Sequence, residues 1–261
     1  MTAATETGPT IRRSGTRRSA FGSLVRTETL LLVREVVPLL WGVGFPMALL
    51  AVMGAFSHGP DKDLGGLSLV AVYEPVLIAF TLATFALQGL PTVLAGYRER
   101  GVLRRLNATP VGAGRLLAAQ LTVNLTVSLI STVGILIVGD AAFGVPLPGQ
   151  PAGFALALLL AAAAMLALGL LIASVARSGR IAGAVGTMVF LPLMFFAGLW
   201  TPRATMPATL LSIGDHTPLG AAVAALQDSM AGQWPPAAGL AVLAGYAVAF
   251  GLLSWRLFRW E

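Results

Sequence analysis

The run Tyr97-Arg-Glu-Arg-Gly-Val-Leu-Arg-Arg-Leu-Asn-Ala-Thr-Pro-Val-Gly-Ala-Gly-Arg115 is the most strongly charged segment of the chain and lies between two long apolar runs. Arg98, Arg100, Arg104, Arg105 and Arg115 stand there against one acid, Glu99. Such a stretch stays in water, whereas the sequence on both sides is built to enter lipid. The side of the membrane on which it lies fixes the side of every other loop.

Bulk composition agrees. Of 261 residues, 56% are hydrophobic and 11% are charged, against about 25% charged in soluble domains. A soluble fold of this length could not hide so much apolar surface, so the class is an all-α polytopic membrane protein. The formal net charge is +6. The arginines sit beside apolar runs, which reads as an orientation signal and not as a nucleic-acid surface. The absence of cysteine excludes disulfides, thiolate metal sites and cysteine nucleophiles.

Outward from the arginine stretch, the pattern predicts six spans, at about 37–55, 69–94, 116–138, 151–175, 181–199 and 237–253. Residues 1–20 read as a disordered basic tail. Residues 21–35 read as an amphipathic helix in the membrane interface, with Phe21, Leu24, Val25, Leu31 and Leu32 at helical spacing and Arg34 near its end. Glu28 and Glu35 fall near the centre of its apolar face. Either they snorkel to water, or they pair with arginines of the 97–115 stretch. Gly42, Gly44 and Pro46 predict a bend or a close contact in the first span. Gln88, Gly89 and Pro91 interrupt the far end of the second, and Glu74 is expected at the interface. Gln120, Asn124, Thr126 and Ser128 could line a polar path or bond to neighbouring helices. Between spans five and six, 206–213 and 219–230 are too short to cross about 30 Å of hydrocarbon, and read as a pair of helices at or dipping into the interface.

Six spans put both termini on one side. With them fall Arg12, Arg13, Arg17, Arg18, Arg26, Arg34, the five arginines of the central stretch, Arg177, Arg180, Arg256 and Arg259. The other side holds Lys62 and Arg203. The positive-inside rule therefore predicts cytoplasmic termini and a cytoplasmic 97–115 stretch.

Lys62 is the only lysine and is not part of a Gly-x-x-x-x-Gly-Lys-[Ser/Thr] loop, so the chain carries no P-loop ATPase. His58 and His216 lie in separate loops and read as surface histidines; no metal site is expected. No cluster of ionisable residues falls in the middle of a span, which ion-coupled transporters need. Energy for any transport must come from elsewhere.

Three segments carry a resemblance: Trp41-Gly-x-Gly-Phe-Pro46, the stretch Tyr97–Leu106 with Thr109-Pro110, and Phe196-Ala-Gly-Leu-Trp-x-Pro202 with Met206-Pro207. They resemble the membrane subunit of an ATP-binding cassette type-2 exporter, of the daunorubicin-resistance-like permease family, from about Glu28 to the C-terminus. The resemblance implies that 21–35 is a connecting helix, and that 201–236 holds an external re-entrant hairpin. Arg98, Glu99, Arg100, Gly101, Leu103, Arg104, Arg105, Leu106, Thr109 and Pro110 would form or flank a cytoplasmic coupling helix that docks a separate ATPase. Glu28, Arg34 and Glu35 would belong to the connecting helix. Two permease copies, as a homodimer, would meet two ATPase copies in the inner cell membrane, with ATP and magnesium on the ATPase and no cofactor on this chain. The substrate would be hydrophobic or amphipathic, a drug, lipid or glycolipid. Phe190, Phe195 and Phe196 would face it, or pack against lipid and core. An ion-coupled secondary transporter and a non-transporting scaffold are the rival readings.

Overall fold

The computed structural model describes residues 16–57, 59–108 and 112–257. The first fifteen residues of the expected tail, His58, Thr109, Pro110, Arg259 and Trp260 lie outside the described residues. The described chain is helical, with one isolated bridge between Asp61 and Leu67.

Helix α1, Thr16–Arg34, starts ahead of the expected residue 21 and ends before Glu35. Among the described residues, six helices are long and apolar enough to cross a membrane: α2 (Val36–Phe56), α3 (Leu69–Glu99), α5 (Ala113–Phe143), α6 (Pro151–Val175), α7 (Gly179–Ala197) and α10 (Ala237–Leu257). A short helix α4, Val102–Asn107, sits between α3 and α5. Helices α8 (Ala208–Asp215) and α9 (Pro218–Met230) sit between α7 and α10. The expected spans match in number and order. Helix α3 begins at the expected Leu69 but runs past the expected 94, because the arginine stretch continues helically to Glu99 before Gly101 turns the chain, and α5 extends beyond both expected ends, from Ala113 to Phe143.

Local chemistry sets the ends. The Ser68 and Ser178 hydroxyls accept from the N–H groups of Ala71 and Ile181 and cap α3 and α7. Gly144 and Gly198, at φ +67° and +98°, close α5 and α7 in the left-handed conformation that a side chain resists.

Helix α3 is the nearly enclosed centre; α2, α5, α6 and α7 pack on it, and α10 packs on α6 and α9, with much of the outer spans' surface still exposed. Leu77, Ile78, Leu87 and Leu90 are fully buried. Two helical irregularities face each other here. The first span winds as a π-helix over Leu40–Gly44, and α3 does so over Thr84–Gly89. Such inserted turns bend a helix and mark functional segments. Gly42 leaves room for the Phe85 ring, which a side chain at that position would strike. From the other faces, Gly169 of α6 and Gly186 of α7 lie against the carbonyls of Ala86 and Leu87. The predicted close contact in the first span and the interruption of the second are thus one structure, a widened turn of α3 gripped by glycines from three helices. Small residues allow this approach where lipid supplies no other driving force.

Glu74 departs from expectation. It lies in the second turn of α3, near one end, yet is 1% exposed. It is enclosed by protein, with its carboxylate against Gly139 of α5, and Oε2 has no hydrogen-bond partner among the described residues.

Candidate functional site

At the arginine-rich end, α3 stops at Glu99 and Gly101, at φ +66°, turns the chain into α4. Leu103 is 2% exposed and packs with Ala113 and Leu116 of α5, flanked by Leu24 of α1, Tyr97 and Leu106. One leucine therefore seats the short helix on three others. Arg104 and Arg105 stay exposed on it, with Arg105 donating to the Arg100 carbonyl at 3.2 Å. Arg100 is also exposed; its Nε donates to Gly96 O at 3.1 Å and its guanidinium lies 5.5 Å from the Tyr97 ring centroid.

Arg98 and Glu99 turn the other way. The Arg98 guanidinium donates to the carbonyls of Ser174, at 3.1 Å, and Ala176, the last turn of α6 and its C-cap. The Glu99 carboxylate accepts the N–H of Gly179, the first residue of α7, at 3.2 Å. A helix C-terminus is electronegative and an N-terminus electropositive. Two adjacent residues of opposite charge thus complement two consecutive helix ends, and bind the 176–179 turn to the end of α3.

Glu28 is the buried acid of this end, 6% exposed. It lies on the inner face of α1 that the periodicity marks, but its partners are not arginines. Tyr97 Oη donates to its two oxygens at 3.1 and 3.0 Å, and Gln120 Nε2 donates to Oε2. Asn124 Nδ2 in turn donates to the Gln120 carbonyl at 2.8 Å. Burial raises the Glu28 pKa above the usual carboxylate value, with the Tyr97 and Gln120 hydrogen bonds opposing. Glu35 and Arg34 are exposed, since α1 ends before Glu35 can face inward.

The Glu28 network opens on a cavity of about 890 Å³. Its walls come from α1, the two π-helical turns, α5 and the start of α7, and include Glu35, Trp41, Phe85, Gln88 and Asn124. Sequence reasoning flagged Gln120, Asn124 and Gln88 as polar, but only folding shows that they converge with Glu28 and Tyr97. The 780 Å³ cleft lies at the opposite end, between the first turn of α3, α8, α9 and α10. Arg203, 6% exposed, bonds there to Asp215 and donates to Phe196 O at 3.1 Å. Burial raises the Asp228 pKa, while Arg203 opposes.

The three phenylalanines do not converge on either space. Phe190 is 5% exposed, edge-on to Phe80 at 5.3 Å in the core. Phe195 and Phe196 are half-buried, edge-on to each other at 5.4 Å.

A family profile described as ABC-2 type transporter matches residues 19–231, from α1 through the whole of α9. The chain belongs to the ABC-2 type transporter family. Two proteins named inner membrane transport permease YhhJ, from Escherichia coli K12 and Shigella flexneri, are each 28% identical to it over 134 residues. That alignment covers 51% of this chain and 35% of either relative, so the chain spans about a third of the length of the relatives it matches. As a member of this family with six helices long and apolar enough to span among its described residues, the chain is an integral membrane protein. The match begins within α1, so that helix belongs to the family's domain and is not an appendage.

Proposed function

We propose that this chain is the transmembrane subunit of an ATP-driven exporter that moves a hydrophobic or amphipathic substrate out of the cytoplasm. The observation that carries this reading is α4: a six-residue helix held on the bundle by Leu103, with Arg104 and Arg105 turned to water. A guanidinium pair on a rigid seat suits an acidic cleft on a soluble subunit. Closure of two ATPase subunits would push α4, and the push would reach α3 and α5 directly and α6 and α7 through Arg98 and Glu99. Arg100, Gly101, Leu106 and the adjoining Thr109 and Pro110 would complete the docking segment. The ATPase, not this chain, would hold ATP and magnesium.

In this reading both termini face the cytoplasm of the inner membrane, α1 lies in the interface as a connecting helix, and α8 and α9 form an external re-entrant hairpin. A second, identical permease would cover the exposed faces of α2 and α7, and Phe195 and Phe196 would meet substrate or that partner. The permease works by holding inward- and outward-open arrangements close enough in energy for ATP to switch them.

One observation favours an ion-coupled carrier instead: the buried Glu74 inside a span, whose Oε2 bonds to no described residue. Both readings are tested by co-purifying the chain with a candidate ABC ATPase and following hydrolysis across a substrate panel. A stable complex with substrate-stimulated hydrolysis supports the exporter. Transport that survives ATP depletion and follows an ion gradient supports the carrier.

A further inference from the structure

The 890 Å³ cavity has the size of a site for a drug-sized molecule, and its one buried charge is Glu28. Among the described residues that carboxylate is held by neutral groups, the Tyr97 hydroxyl and the Gln120 amide. An ionised carboxylate has about four acceptor positions, so its lone pairs are not all used, and no described cation neutralises it. Glu35 lines the same space from the end of α1. The Gln88 side chain, in the π-helical turn of α3, also lines it and bonds to no other described residue. Trp41 offers a half-exposed ring, and the buried Phe85, packed against Gly42, forms part of the apolar wall. Two arginines line the space as well. Arg100 is turned to Gly96 and Tyr97, and Arg180 is exposed on the first turn of α7. The cationic groups therefore stand in water, and the anionic group stands inside.

We propose that this cavity is a loading site for a cationic amphiphile, whose protonated amine bonds to Glu28 and Gln88 while its apolar body lies on Trp41. The proposal rests on the exporter reading for its purpose and names the substrate class. An amine would pair with a carboxylate that burial otherwise leaves as an uncompensated charge. The basic headgroup would be selected at Glu28, and the adaptable aromatic wall would accept varied bodies.

The test uses the purified chain in phosphatidylcholine nanodiscs, with no ATPase present, so its outcome is independent of whether an ATPase docks. The probes are a dansyl alkylamine, its N-acetylated neutral analogue and a dansyl alkyl phosphate, with energy transfer from tryptophan as the readout and empty discs as background. The amine is expected to bind more tightly than both analogues. Glu28→Gln is expected to weaken the amine at least about tenfold and leave the acetylated probe unchanged. Trp41→Phe should remove most of the transfer signal. Where Glu28→Gln folds poorly, Glu28→Asp and Glu35→Gln carry the test, the first retaining amine preference and the second reducing it. Equal binding of amine and acetylated probe, tighter binding of the phosphate, or an amine Kd indifferent to Glu28→Gln overturns the proposal.

Discussion

Gly186 lies so close to the Leu87 carbonyl that a methyl group at this position would collide with it. Gly169 stands in the same relation to Ala86, one residue earlier on the opposite wall. The π-helical turn of α3 is thereby fixed between α6 and α7 by backbone contact, where no side chain can yield. Gly186→Val and Gly169→Val are expected to cost about 1–3 kcal/mol or more, the penalty for overpacking a rigid site. Gly251→Val, at a glycine with open space around it, should cost far less. Thermal melts of the three purified variants decide this; equal melting temperatures would contradict the packing account.

Glu28 should make stability depend on pH. Its pKa is raised in the folded chain above the ordinary 4.5, so the folded state holds its proton to higher pH than the unfolded state does. Stability therefore falls as pH rises from 4.5 towards the raised folded value, and is recovered on acidification. Glu28→Gln is expected to flatten that slope in melting curves taken across the window. A slope unchanged by the substitution would assign the effect to another group.

Arg98 and Arg104 lie six residues apart in one arginine-rich stretch but do different work. Arg98→Ala leaves the Ser174 and Ala176 carbonyls without their charged donor, and is expected to cost about 1.5–3 kcal/mol. Arg104→Ala removes an exposed side chain and should stay within about 0.5 kcal/mol. Denaturation of the two variants in one detergent compares them directly.

This difference marks the limit of what the sequence discloses. Apolar run length reveals spans, because a bilayer demands about 20 apolar residues of any helix, and all six are found in order. Periodicity on α1 also places Glu28 inward correctly. What it cannot tell is the partner: Tyr97 and Gln120 are 69 and 92 residues away along the chain, and one tyrosine and one glutamine carry no sign of pointing there. Likewise, Arg98 and Arg104 look alike in a charge run, and only the position of the α6–α7 turn separates a clamp from a free surface. Glu74 reads as an interfacial acid from its place near a helix end; the contact with Gly139 that buries it comes from a helix 65 residues away.

Glu74→Gln should be neutral to stabilising, because it removes a carboxylate whose Oε2 finds no donor at a depth where charge is disfavoured. A gain of about 1 kcal/mol is in keeping with the cost of an unsatisfied buried group. A large loss of stability in the purified variant would mean that the carboxylate has a partner in the assembled transporter.

The central claim, that the exposed arginines of α4 carry the ATPase's motion into the bundle, is tested most directly by ATP-dependent export from vesicles containing the chain and its ATPase. Arg104→Glu with Arg105→Glu is expected to abolish export while the protein inserts and melts as before, since both side chains face water. Export at the unaltered rate in the double variant would contradict it.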